Sequence, residues 1–420
     1  MANRDRCSLH APSRRELLLA SGALFAWAYL PKAARAEGRD PRFLTIVLRG
    51  ALDGLAAVAP VGDPDWVRLR GDKALLLDGA TPALKLDDFF ALNPAMPELY
   101  RLYRAGEATI VHAAATPYRE RSHFDGQDVL ESGLTKPGAT GTGWLNRALA
   151  ALEPGGRVEP NKRQAFAVGP VTPLIVRGAA PVMSWTPARL PPAADDTLLR
   201  LAELYRHTDP PLARVLEERM GLAAIAKAGG VALAPEKGKP AQPGPGAQVR
   251  AYFAEAAGAA AKFMARPDGP RVGALAFDGW DTHQDEGVVG GRLALLLGAL
   301  DGALAAIEKE MGPAWRETIV TVITEFGRTA RINGTEGTDH GTATVALLAG
   351  GALKGGRVIA DWPGLKETSL YEGRDLKATT DMRAVIKGVL RDHLRVPEAA
   401  LTATVFPESI AARPMAGLVA

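Results

Sequence analysis

The sequence predicts an α/β protein built on a doubly wound, mostly parallel sheet with helices on both faces. One observation is a set of short segments, FLTIVL, ATIVHA, AFAVG, RVGALAF, TIVTVIT and TATVALLAG, that are apolar or β-branched on both faces. Strands covered on both sides by helices should look like this. The other is the helical pattern of the intervening stretches SHFDGQDVLESG, TLLRLAELYRH, GGRLALLLGALDGALAAIEKEM and TDMRAVIKGVLRDHL. Strands alternating with helices define a sheet wound on both sides. GGVALAPEKGKPAQPGPG, from Gly229 to Gly246, is rich in Pro, Gly and Lys and is expected to be an exposed loop between helices. No internal repeat is evident.

The chain opens differently. SRRELLLASGALFAWAYL places Arg14 and Arg15 ahead of an apolar stretch closed by Pro31 and Lys32, and PKAARAEG offers a small-x-small cleavage pattern after Ala36. The apolar run is shorter than the ~20 residues a bilayer requires, which favours a twin-arginine export signal over a membrane anchor. Residues 1–36 are therefore expected to be a signal peptide and residues 37–420 the mature domain, with its interruption at 229–246. The expected location is periplasmic or secreted, with the twin-arginine translocase as a transient partner and no stable membrane span after cleavage. Proteins exported this way cross folded, so a metal would be loaded beforehand.

Removing residues 1–36 changes the charge. They hold six Lys or Arg against two Asp or Glu, so the formal +3 of the whole chain becomes −1. Nothing then recommends a nucleic-acid partner. The single cysteine, Cys7, leaves as well, which excludes disulfides and thiolate metal sites in the mature chain.

The polar clusters fall repeatedly at the carboxyl ends of strand candidates. Asp53 follows FLTIVL, Ser122 and His123 follow ATIVHA, Asp281 and His283 follow RVGALAF, and Glu325 ends TIVTVIT before Arg328, Asp339 and His340. That edge of an open α/β sheet is where ligands bind. Carboxylates and neutral imidazoles together suit Zn²⁺, Mn²⁺ or Fe²⁺, and carboxylates alone suit Mg²⁺ or Ca²⁺. His123, His283 and His340 are the candidate ligands or proton carriers, whereas His112, His207 and His393 lie in strand or helix patterns and look structural. Each motif also has a plain structural role open to it. Asp53 and Ser122 suit helix caps, Glu325 and Arg328 an ordinary ion pair, and Asp339-His340-Gly341 a polar turn.

The stretches LRGALDGL, RSHFDGQDVLESG, FDGWDTHQDE, TEFGRTARINGTEGTDHG and TTDMRAVIKGVL, in that order, resemble the signatures of the DUF1501 family, from about Phe43 to about Leu394. That family is in turn similar to the alkaline phosphatase and sulfatase-like superfamily, which implies a doubly wound fold with metal held at the strand ends. The resemblance implies Asp53, Asp281, His283 and His340 as metal ligands, with Glu325 and Asp339 in the same set. It places Ser122 near the hydroxyl nucleophile, with His123 and Arg328 beside it as catalytic groups. Arg328, Arg121 or Arg119 would contact the anionic group of the substrate.

The departures from the superfamily pattern are specific. Asp281 and His283 are spaced Asp-x-His rather than Asp-x-x-x-His. Glu325-Phe326 stands where an Asp-His pair is usual, leaving Asp339 or His123 to replace the lost imidazole. Without such a replacement, the site holds one ion or a harder ion than zinc. The formylglycine signature of sulfatases is absent around Ser122. The expected function is hydrolysis of a small anionic phosphate- or sulfate-type ester with one or two divalent ions, Zn, Mn, Mg or Ca. The alternative is an exported metal- or carbohydrate-binding protein on the same fold.

Overall fold

The computed structural model describes residues 39–152, 158, 164–169, 171–185, 195–210, 212–214 and 245–420. In chain order its strands are β1 (Arg42–Arg49), β2 (Val58–Ala59), β3 (Leu84–Lys85), β4 (Ala91–Leu92), β5 (Ala108–Ala115), β6 (Ala165–Val168), β7 (Val182–Trp185), β8 (Val272–Asp278), β9 (Thr318–Thr324), β10 (Thr344–Ala349), β11 (Arg357–Ile359) and β12 (Thr380–Asp381). The main sheet runs β11-β5-β10-β9-β1-β8-β6-β7, with β12 also paired to β5, while β2, β4 and β3 form a small separate sheet.

β1 shows why these segments become central strands. Leu44, Ile46 and Leu48 enter the core on one face of the sheet, and Phe43 and Val47 enter the core on the other. Every second side chain changes face, so a strand apolar throughout can be covered twice. One cover is the helix Arg292–Met311, which buries Leu293, Leu296, Leu297, Leu300, Leu304 and Ile307 at helical spacing. The other includes the helices Trp144–Ala150 and Met382–Asp392, through Trp144, Leu145, Leu149, Val385, Ile386 and Val389.

All six strand candidates and all four helical stretches of the sequence are present. Two details differ. TATVALLAG reads as one of the parallel strands, yet β10 runs antiparallel to both β5 and β9. The reason is the connection: the described residues between Thr324 and Thr344 contain no helix, and a parallel return needs a crossover of a dozen or more residues, usually helical. The chain therefore turns at the strand end and comes straight back. The proposed loop ending at Gly246 also gives way two residues early, because Pro245–Ala265 is a helix whose Ala256, Ala257, Ala260 and Ala261 are buried. Residues 229–244, like the export signal, lie outside the described residues.

This topology decides where the polar residues meet. β5, β8 and β9 run the same way as β1, so their carboxyl ends share one edge. The reversed β10 begins at that edge, with Thr344 beside Ala114 near the end of β5. Residues just before β10 thereby join residues just after β5, β8 and β9. No helix among the described residues is long and apolar enough to cross a membrane.

Candidate metal centre

Four side chains from three strand-end loops converge. His123 opens the helix after β5, Asp281 and His283 follow β8, and His340 precedes β10. The Nε2 atom of His340 is 2.9 Å from Nε2 of His123 and 2.9 Å from Nε2 of His283. Asp281 reaches all three: its Oδ2 is 3.4 Å from His123 Nε2, and its Oδ1 is 3.1 Å from His283 Nε2 and 3.4 Å from His340 Nε2. His123, Asp281 and His340 by themselves offer three donor atoms within 4.8 Å of one another, close enough to hold one ion.

The far side of each ring explains this orientation. His123 Nδ1 lies 2.9 Å from Glu325 Oε1, His340 Nδ1 lies 3.0 Å from the carbonyl of Arg121, and His283 Nδ1 lies 3.3 Å from Asp339 Oδ1. All three partners are acceptors, so they place a proton on Nδ1 and, in the neutral rings, leave Nε2 as a lone pair. Three such lone pairs and a carboxylate facing one another repel unless a proton or a metal cation lies between them. A tetrahedral ion with donors at about 2.0–2.2 Å sets neighbouring donors roughly 3.3 Å apart, close to the spacings observed. His123, Asp281 and His340 thus fit a divalent ion, with His283 beside them as a further imidazole and the Nδ1 contacts as a supporting layer.

Glu325 belongs to that layer. It follows β9 directly and is fully buried, and its Oε1 accepts from the Gly50 N–H at 2.8 Å and from Gln127 Nε2 at 3.1 Å, while Oε2 accepts from Thr324 Oγ1 at 2.8 Å. Burial would raise its pKa, but the bond to His123 holds it down at about 2. His123 responds in the opposite sense: burial would lower it, and its bonds to Asp281 and Glu325 raise it. Burial also pushes Asp281 up, yet the three imidazoles and Arg328 hold it well below the carboxylate range. His340 is lowered by burial, with the charges of His123 and Arg328 acting in the same direction.

Backbone geometry allows this convergence at two glycines. Gly50 has φ of +119°, and a Cβ there would lie 2.5 Å from the amide nitrogen of Asp281. A Cβ at Gly337 would meet the His283 carbonyl oxygen at 2.3 Å. Only glycine lets the end of β1 and the 333–340 loop approach so closely.

The remaining expected site residues divide. Arg328 is buried and donates to Asp281 Oδ1 at 2.6 Å and to Thr338 Oγ1 at 3.1 Å, so it orients the carboxylate instead of facing a substrate. Arg121 is committed to Asp375. Arg119 donates to the backbone carbonyls of Thr116 and Tyr118 and has no carboxylate partner among the described residues. Ser122 occupies the N-cap position of the helix His123–Ser132, but its side chain makes no capping bond. Its N–H donates to the Tyr118 hydroxyl at 3.2 Å.

Asp53 does not join the cluster. Its carboxylate takes both terminal nitrogens of the fully buried Arg70, and Oδ1 also accepts from the N–H groups of Leu55 and Ala56 at 3.0 and 3.1 Å. A guanidinium stands where the resemblance implies a metal. Beside this pair is Glu286, whose Oε1 accepts from Thr282 Oγ1 at 2.9 Å and whose Oε2 is buried with no hydrogen-bond partner. Burial and the charge of Asp53 push Glu286 up to about 8.

Arg70, Gln127, Glu286 and Asp375 join the site without standing among the expected residues. Three of them have partners remote in sequence: Arg70 is 17 positions from Asp53, Gln127 is 198 from Glu325, and Asp375 is 254 from Arg121. The structural histidines hold as expected where described. His112 is buried against the Val58 carbonyl at 2.9 Å and kept near pKa 4 by burial, and His393 meets the Arg42 carbonyl at 3.0 Å. The side chain of His207 lies outside the described residues.

The fold and this cluster define an α/β protein with an imidazole–carboxylate centre at the carboxyl edge of its sheet. The chain belongs to the DUF1501 family, described as a protein of unknown function, which it matches over residues 84–405. No curated protein matches it. Among solved structures it is similar to a phosphonate monoester hydrolase of Agrobacterium radiobacter, with 12% identity over 76% of this chain and 70% of that one and a TM-score of 0.32. A sulfatase from Pseudoalteromonas sp. gives 15% identity, 83% and 68% coverage and a TM-score of 0.33. The zinc complex of the C-terminal periplasmic domain of EcEptC from Escherichia coli gives 12% identity, 75% and 74% coverage and a TM-score of 0.31.

Proposed function

We propose that this chain is a hydrolase of phosphate- or sulfate-type esters that works with a single divalent ion. The observation that carries the proposal is the convergence of three imidazole Nε2 atoms on Asp281 while each Nδ1 is held by an acceptor. His123, His283, His340 and Asp281 would hold the ion. Glu325, Asp339 and the Arg121 carbonyl would orient the rings, and Arg328 would orient the carboxylate. One ion is favoured over two because Arg70 and the helix amides already occupy the oxygens of Asp53. Three imidazoles with one carboxylate favour Zn²⁺ or Mn²⁺ over Mg²⁺ or Ca²⁺.

A bound divalent ion supplies Lewis acidity toward an ester oxygen. The chain's own residues supply the rest. Ser122 is next to His123 at a helix N-terminus; its hydroxyl would attack the phosphorus or sulfur centre, losing its proton to solvent as the ester alcohol departs, and water would then release the phosphate or sulfate from Ser122. Arg119 is the arginine left to pair with the anionic group. We further propose that residues 1–36 are a twin-arginine signal, that residues 37–420 are the exported domain, and that it acts in the periplasm or outside the cell on a small anionic ester or glycan.

The deciding experiment is elemental analysis of the purified protein, followed by turnover of activated phosphate and sulfate esters with Zn²⁺, Mn²⁺, Mg²⁺ and Ca²⁺ supplied in turn. Protein that takes up none of these ions removes the proposal. Protein that binds metal but hydrolyses nothing assigns it to the binding-protein alternative.

A further inference from the structure

We infer that Asp375 is a positioning residue for His340, acting through two arginines; this rests on the metal-centre reading above. Asp375 lies in the loop before β12, fully buried, in a stretch where the sequence carries no recognisable motif. Its Oδ2 accepts from Arg121 Nε at 3.0 Å and from Arg121 NH2 at 2.8 Å, and its Oδ1 accepts from Arg374 Nε at 2.8 Å. Each arginine then holds His340 at a different point. The carbonyl of Arg121 faces His340 Nδ1 at 3.0 Å, and Arg374 NH2 donates to the His340 backbone carbonyl at 2.5 Å.

The Arg121 backbone makes this clamp more than ordinary surface pairing. Arg121 has φ of +59°, a left-handed conformation that a long side chain adopts only under constraint. That conformation accompanies the direction of its carbonyl toward the imidazole. The forked, charge-assisted bond to Asp375 is a constraint able to hold it. A third attachment comes from the chain itself, since Arg328 and His340 form a β-bridge and Thr329 and Asp375 form another. Asp375, Arg328 and His340 are thus registered on one loop ladder. The carboxylate of Asp375 fixes which nitrogen of His340 bears the proton and where its Nε2 points.

The test uses Co²⁺ as the probe and Asp375→Asn as the variant. Loss of an outer partner of a ligating histidine typically weakens metal binding by about 10- to 100-fold. The expected result is a loss of that size in Co²⁺ affinity together with changed visible absorption bands. In the metal-free protein, ¹⁵N signals of His340 should show that the single Nδ1–H tautomer of the wild type has become mixed. A folded variant with wild-type affinity, absorption and tautomer overturns the inference, because a merely structural Asp375 would alter stability and leave these unchanged. If Asp375→Asn does not fold, Arg374→Gln and Arg121→Lys each remove one arm. Loss of affinity or a mixed tautomer in either supports the clamp, and wild-type behaviour in both overturns it. Should the wild type bind no Co²⁺, the metal-centre reading fails, and the tautomer comparison alone decides the role of Asp375.

Discussion

His123 and Glu325 meet at 2.9 Å across 202 positions of sequence, imidazole Nδ1 against a carboxylate with no solvent exposure. Glu325 accepts bonds from a ring, a backbone amide, an amide side chain and a hydroxyl at once, so its place is fixed by β1, β9 and the helix after β5 together. A carboxylate so held gives His123 one orientation and one tautomer.

Glu325→Gln should therefore keep the fold and weaken the centre. The amide preserves size and some hydrogen bonding but loses the charge that faces Nδ1–H. Divalent-metal affinity is expected to fall by about 10- to 100-fold, read by competition with a chromophoric chelator. Unchanged affinity would remove Glu325 from the supporting layer.

Metal removal should be visible in stability. An ion that binds only the folded chain adds about 2.7 kcal/mol when present at 100 times its Kd. Chelation should lower the melting temperature of the wild type, and His283→Ala and His340→Ala should each abolish most of that difference. A melting temperature indifferent to chelator, in protein shown to contain metal, would place the ion elsewhere.

Ser122→Ala separates nucleophile from scaffold. Its side chain makes no capping bond, so stability should change little. Ester hydrolysis should fall below detection while metal content stays at the wild-type level. Retained turnover would make water the nucleophile.

Glu286 gives a pH signature away from the cluster. Its folded pKa is raised to about 8 from an ordinary 4.5, so between those values the folded chain holds a proton that the unfolded chain has released. Its contribution is therefore fully present below about pH 4.5 and is lost as pH rises toward 8. Glu286→Gln removes this dependence, and its stability relative to wild type should grow by about 1.4 kcal/mol per pH unit across that window. Denaturant melts at pH 5, 6 and 7 measure the slope, and a flat difference refutes the assignment.

Export tests the other end of the chain. Changing Arg14 and Arg15 together to Lys should retain the protein in the cytoplasm, as fractionation would show. Normal export would remove the twin-arginine assignment.

The sequence made the sheet legible because its strands are apolar throughout, a pattern that survives without knowledge of their neighbours. It made His123, Asp281, His283 and His340 legible because strand-end position and residue type agreed. It could not rank Glu325 against Asp281 as ligands. Both are carboxylates at strand ends, and only the ring atom each one faces, Nδ1 or Nε2, separates them. Asp53 went to Arg70 for a similar reason, since nothing local announces a cation seventeen positions away. The reversal of β10 was hidden because an apolar strand reads the same in either direction.

That reversal also sets an order of events. His340 reaches the other donors only once β10 has docked between β5 and β9; of its two imidazole partners at 2.9 Å, His283 lies 57 positions earlier and His123 217. The centre thus reports on β10: a chain in which β10 is unpaired brings no His340 to the other donors, and the donor set is incomplete.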